Sequence, residues 1–251
     1  MTTLPSGTVT FVFTDVEGST RLLQELGDEY ATVQADQRRL IRTAFGARGG
    51  TEIDTQGDAL FFSFARARDA VAAAVDAQRA LRAHGWPQRK EVRVRMGLHT
   101  GEPTVGDEGY VGIDVVRAAR ISAAGHGGQI LISETTRVLL GNQLPDGAVV
   151  HDLGEANLKD IQHEHVFQVS IDDGPSRFPP LKTEHAKSAG ESLAERIQAQ
   201  VEREILSAFE SGKTPKAPIA EATMGLTILA ITIFALVAIV LGVILILKLA
   251  L

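Results

Sequence analysis

From Met224 to Leu247 the chain reads MGLTILAITIFALVAIVLGVILIL, without a charged side chain. At ~1.5 Å rise per residue, a helix of that length crosses ~30 Å of hydrocarbon with some tilt. It has no polar face of the kind a surface helix keeps toward water. One transmembrane helix is therefore expected over 222–248. Gly225 and Gly242 are too far apart to form a close-packing GxxxG pair. Lys213 and Lys216 precede the run and Lys248 follows it, a bias that places the preceding chain in the cytoplasm. The opening residues MTTLPSG carry neither a basic nor an apolar leader. The expectation is a cell-membrane protein with a single C-terminal anchor and a cytoplasmic globular domain.

The net charge of -6, with no Lys/Arg cluster, gives no electrostatic footprint for nucleic acid, so no nucleic-acid partner is expected. With no cysteine, disulfides, thiolate metal sites and cysteine nucleophiles are excluded. No GxxxxGK[ST], nucleophile elbow or HExxH is present.

Three regions follow from pattern: a globular domain over 1–171, a linker with an amphipathic helix over 172–221, and the anchor over 222–248. In the first, Thr8–Thr14 (TVTFVFT) is a short β-branched and aromatic strand. A helix is expected from the following loop to about Arg48, stopped by Gly49-Gly50. Thr51–Thr55 and Ala59–Phe64 form a hairpin around Gln56-Gly57-Asp58. A helix over Arg66–His84 and a strand over Val92–Leu98 follow, then a loop with Gly101, Gly106 and Gly109. This order is ferredoxin-like (βαββαβ), an α+β fold with helices on one face of an antiparallel sheet. The C-terminal extension comprises a helix over Asp114–Ala124, a strand over Gln129–Ser133, a short helix and terminal strands ending at Val169. In the linker, Leu193, Ile197, Val201, Ile205 and Phe209 recur every four residues. That helix suits an inter-subunit pair, the membrane surface or its own domain equally.

Two acids stand out. Asp15 closes the first strand and Asp58 sits at the hairpin tip. Beside a loop with free N–H groups, converging carboxylates suit hard cations that hold a nucleoside triphosphate. By spacing alone, an Asp after a strand is more often a cap or turn residue.

The blocks FVFTDVEGSTRL, DTQGDALFFSF, VRMGLHTGEP, GYVGIDVVRAARI with GHGGQILIS, and DLGEANLKDI resemble, in order, the class III adenylate/guanylate cyclase catalytic domain of bacterial type. The resemblance covers about residues 8–169 and implies conversion of ATP or GTP to a 3′,5′-cyclic nucleotide and pyrophosphate. It further implies two Mg²⁺ or Mn²⁺ ions per site, and a homodimer whose interface builds each site from both chains. Asp15 and Asp58 match the metal aspartates. Val16, Glu17, Gly18 and Ser19 match the triphosphate loop. Arg120 matches the arginine that stabilises charge on the α-phosphate, and Lys159 matches a triphosphate lysine.

The sequence also departs from the family pattern. The purine-selecting lysine is Asp54, its partner aspartate falls at Gly109, and the transition-state asparagine is Val116. Two readings result. Either the enzyme is active with an altered base pocket, or the domain is a catalytically impaired, membrane-tethered nucleotide-binding or scaffold protein. A carboxylate at Asp54 suits the N1–H and N2–H donors of guanine better than the N1 acceptor of adenine. His99 is expected to be structural, His163 and His165 solvent-exposed, and Trp86 a packing residue.

Overall fold

The computed structural model describes residues 4–106 and 109–182. The remainder of the linker and the run Met224–Leu247 lie outside the described residues. Among the described residues no helix is long and apolar enough to cross a membrane.

The strands are β1 (Val9–Val16), β2 (Thr51–Gln56), β3 (Ala59–Phe64), β4 (Val94–Gly101), β5 (Thr104–Gly106), β6 (Gly109–Val111), β7 (Ile130–Ser133), β8 (Ala148–Leu158) and β9 (Ile161–Ile171). The helices are α1 (Ser19–Leu26), α2 (Tyr30–Ala47), α3 (Ala67–Ala83), α4 (Ile113–Ala124) and α5 (Glu134–Leu140). Seven strands form one sheet in the order β2-β3-β1-β4-β7-β9-β8.

Every residue of β1 is buried, because both faces of the sheet are covered there. The strand's period of two sends Val9, Phe11 and Phe13 to one side and Val12 and Val16 to the other. Val12 and Val16 join a core built with Val33 and Ile41 of α2, Val71 and Leu81 of α3, and Leu140 of α5. Val9, Phe11 and Phe13 pack with Phe61, Tyr110 and the α4 residues Val115, Ala118 and Ala119. The Phe13 and Phe61 rings stack 4.3 Å apart.

This arrangement corrects several expectations. The sheet is mixed rather than antiparallel, since β4 and β7 pair in parallel. Helices lie on both faces rather than one, because α4 makes the crossover that a parallel pair requires. The long N-terminal helix is two helices, α1 and α2, separated by a 3₁₀ turn at Gly27–Glu29. The strand read from Val92 starts at Val94, and the glycine loop after it forms the small β5–β6 hairpin.

The close fit of α4 depends on Gly97. A Cβ there would lie 2.1 Å from the Ser122 backbone nitrogen, so no larger residue lets the helix seat on β4. His99, two residues along the same face, bonds Asp114 of α4 through Nε2 at 3.0 Å and Ser133 through Nδ1 at 2.8 Å. Burial holds its pKa below the ordinary value, against the opposing pull of Asp114. These contacts fit the structural role expected for it.

Residues 172–182, read as linker, run along the domain. The Lys182 backbone N–H donates to Ala124 O at 2.9 Å, and Leu181 packs on the cluster around Ile121 and Leu131.

Candidate active site

Asp15 continues the Val9/Phe11/Phe13 face of β1, beneath the C-terminal end of α4. Asp58 lies in the β2–β3 turn, which β3 brings alongside the end of β1. Its Oδ2 accepts the Val16 N–H at 3.0 Å, so the turn is pinned to the strand. Helix α2 clamps the turn from the other side. Gln37 donates to Asp58 O at 3.2 Å, and Arg38 donates from Nε to Gly57 O at 3.0 Å. The two carboxyl side chains therefore meet in a buried place, with Asp15 3% and Asp58 6% exposed.

Burial pushes the Asp15 carboxyl up to about 6; Arg95 pulls against this, and the neighbouring Asp58 carboxyl adds to the upward push. Two carboxyls that repel each other in a buried site present hard oxygen donors to a divalent cation. Among the described residues no cluster of three or more His, Cys, Asp or Glu side chains forms a cage. A two-carboxylate set suits Mg²⁺, which keeps water and takes phosphate oxygens as its other ligands. The residues present thus fit the implied ions.

In the turn after β1, the Val16 N–H donates to Asp58 Oδ2 and the Glu17 N–H to Arg93 O at 2.9 Å. Gly18 takes a left-handed conformation (φ 69°, ψ 31°) and caps α1 without a side-chain cap bond, the kind of helix start whose N–H groups can take an anion. Ser19 begins the helix, and its hydroxyl lies beside the Tyr30 phenol. Glu17 turns away from the carboxyl pair toward the C-terminal segment. It accepts from Lys182 Nζ at 2.5 Å. Burial opposes its ionisation, but Lys182 and a Gly127 backbone bond outweigh it and leave the pKa below the ordinary value.

Arg120 is buried on α4 at 3% exposure and donates from Nη2 to Asp160 Oδ2 at 3.3 Å. Lys159 occupies the turn between β8 and β9, next to Asp160. In sheet order, β4 and β7 lie between β1 and that hairpin. Val116 is buried on α4. Asp54 is half-buried on β2, where its Oδ1 accepts the Thr55 N–H at 2.7 Å. Gly109 opens β6 with φ 129°. His163 is exposed and bonds Glu155 at 3.1 Å; His165, about one-third exposed, bonds Asp152 at 2.7 Å, as befits surface groups.

Two residues at the site were not singled out from the sequence. Arg95 is the β4 partner of Asp15, and its Nε donates to Asp15 Oδ2 at 2.9 Å while Nη1 donates to Ala123 O at 3.1 Å. A signal existed: in VRVRMGL an arginine interrupts a strand whose flanks are apolar. The second is Tyr30, the first residue of α2. Its phenol lies near Asp58, and burial with that carboxyl raises its pKa.

A sequence model described as "Adenylate and Guanylate cyclase catalytic domain" matches residues 1–170. An uncharacterised protein of Mycobacterium tuberculosis is 38% identical over 192 residues, covering 75% of this chain and 64% of its own length. The chain thus spans about two-thirds of that relative, slightly less at 64%. An adenylate cyclase of Podospora anserina is 32% identical over 181 residues, covering 60% of this chain and 8% of its own. Among solved structures, a Trypanosoma brucei adenylate cyclase in its monomeric state superposes with a TM-score of 0.68. It is 23% identical and covers 74% of this chain and 97% of that one, a likeness of fold.

Proposed function

Because the chain belongs to the adenylate and guanylate cyclase catalytic domain family, we propose that it converts ATP or GTP to the 3′,5′-cyclic nucleotide and pyrophosphate. The observation that carries this reading is the meeting of the Asp15 and Asp58 carboxyls beside the Val16–Ser19 turn, with the Arg95 guanidinium against them.

Asp15 and Asp58 would hold the divalent ions, Mg²⁺ or Mn²⁺, two per site. Bound there, such ions supply Lewis acidity that eases ionisation of a hydroxyl and offsets charge on a leaving pyrophosphate. The backbone N–H groups of Gly18 and Ser19 would cradle phosphate oxygens at the start of α1, those of Val16 and Glu17 being already bonded to Asp58 Oδ2 and Arg93 O. Arg95, which bonds Asp15 Oδ2, would offer its guanidinium to a phosphate oxygen bound beside that carboxyl. The ribose 3′-hydroxyl gives its proton to water as its oxygen attacks the α-phosphorus, the bond from that phosphorus to the bridging oxygen breaks, and pyrophosphate leaves with the electron pair. Arg120 offsets the charge that develops on the α-phosphate oxygens. Lys159 contacts the triphosphate, while Asp54 and Gly109 border the base.

A homodimer fits this division of labour. Lys159 lies on the β8–β9 hairpin, three strands from β1, or about 14 Å at ordinary strand spacing. A two-fold pairing would bring one chain's basic residues to the other's acids. The run Met224–Leu247 would hold the pair at the cell membrane, with the domain in the cytoplasm, and confinement to a plane favours pairing.

A second reading has specific support in Val116 and Asp54. Valine offers no hydrogen bond where the family has asparagine, which suits a nucleotide-binding scaffold of low turnover. Incubation of the full chain with ATP or GTP and Mn²⁺ separates the two. Cyclic product supports the cyclase, and nucleotide binding without product supports the scaffold.

A further inference from the structure

Away from the carboxyl pair, the end of α3, the turn Trp86–Arg93, the Gly127–Gly128 loop and the segment Pro175–Pro179 enclose a cavity of about 860 Å³. That is the size of a small-molecule pocket. Trp86 and Phe178 are the aromatic carbon side chains of its wall, joined by the aliphatic Leu81 and Val92. The indole is fixed: Nε1 donates to Leu81 O at 3.0 Å, and the His84 ring abuts it edge-on at 4.4 Å.

The charges on the wall do not balance. Arg82 is paired with Asp173, Lys90 with Glu25, Arg93 with Glu91, and Glu17 with Lys182. Arg89 and Arg177 line the cavity from opposite segments, and neither has an ion-pair partner among the described residues. Arg89 is carried there by two successive non-glycine residues in the left-handed region, Gln88 (φ 49°) and Arg89 (φ 53°). Such a backbone is costly and persists where surrounding structure imposes it. Two uncompensated guanidinium groups flanking an aromatic wall complement a flat molecule that carries a phosphate or carboxylate.

We propose that this cavity is a binding site for a small aromatic anion, separate from the nucleotide site. Its roof is the segment that Lys182 ties to Glu17, so an occupant would also bear on the turn that follows Asp15. Binding itself does not depend on the cyclase reading.

Trp86 is the only tryptophan in the chain, so its fluorescence reports this cavity alone. The full chain is titrated with 4-nitrophenyl phosphate, whose nitrophenyl group quenches tryptophan emission. Expected is saturable quenching, and weaker quenching by uncharged 4-nitrobenzyl alcohol. The R89Q/R177Q variant, altered at exposed positions, should lose about tenfold in affinity for each charged contact removed. Phe178→Ala should weaken binding without changing charge. Asp58→Ala should bind the probe as the parent does. Quenching that never saturates, that is equal in R89Q/R177Q, or that ATP displaces one-for-one would overturn the proposal.

Discussion

Arg95 stands directly across from Asp15 in the antiparallel β1–β4 ladder, and its guanidinium donates to the Asp15 carboxylate from Nε at 2.9 Å. The side chains are 10% and 4% exposed, so this ion pair sits where water screens it little. Breaking such a pair from one side leaves an uncompensated buried charge.

The first consequence is a pH dependence. Asp15 is raised from 3.8 to about 6, mainly by burial. The folded chain therefore holds an extra proton between those values. This group favours folding below the lower value, and the contribution is lost as pH rises through the upper one. At about 1.4 kcal/mol per pH unit, the difference is at most about 3 kcal/mol. Urea midpoints in EDTA should show Asp15→Asn gaining stability relative to the parent between pH ~4.5 and pH ~7.5. A constant difference across that range would mean that Asp15 titrates normally.

Asp58, proposed to hold metal, also accepts the Val16 N–H at Oδ2. Asp58→Ala should abolish Mn²⁺-dependent turnover and loosen the β2–β3 turn. Asp58→Asn keeps an acceptor for that N–H but removes the charge. It should remain as stable as the parent to within about 1 kcal/mol yet still lose activity. Full activity in either variant contradicts the metal assignment.

Under the proposed mechanism, Val116 stands on α4 where the family resemblance implies a hydrogen-bond donor. Val116→Asn restores an amide at a buried helical position. Turnover should rise by roughly 10²-fold, the usual worth of one donor aimed at developing charge. A rate unchanged by this substitution would move the defect elsewhere, with Asp54 the next residue to alter.

Gly97 tests the fold rather than the chemistry. The added methyl of Gly97→Ala would meet the Ser122 backbone at 2.1 Å. Since α4 also carries Arg120, thermal stability and activity should fall together, with a loss of about 3 kcal/mol or more. An unshifted melting temperature would show that α4 seats differently on β4.

Much of the site lies in short stretches and was legible there. Asp15 after an apolar strand, Gly18 before a helix and Asp58 at a hairpin tip are local features, because turn chemistry and strand alternation act over a few residues. The break at Gly27 was obscured by apolar residues that keep a helical spacing on both sides of it.

The apolar run Met224–Leu247 and the order of strands and helices belong to the sequence itself, because side-chain period and charge are written residue by residue. The facing of Arg95 and Asp15 was decided only by the tertiary structure, since the two are 80 residues apart. Strand register joins such residues, and no local pattern specifies it. The placement of α4 on the opposite face has the same origin: β4 and β7 pair in parallel, and a parallel pair is closed by a crossover, not by a turn.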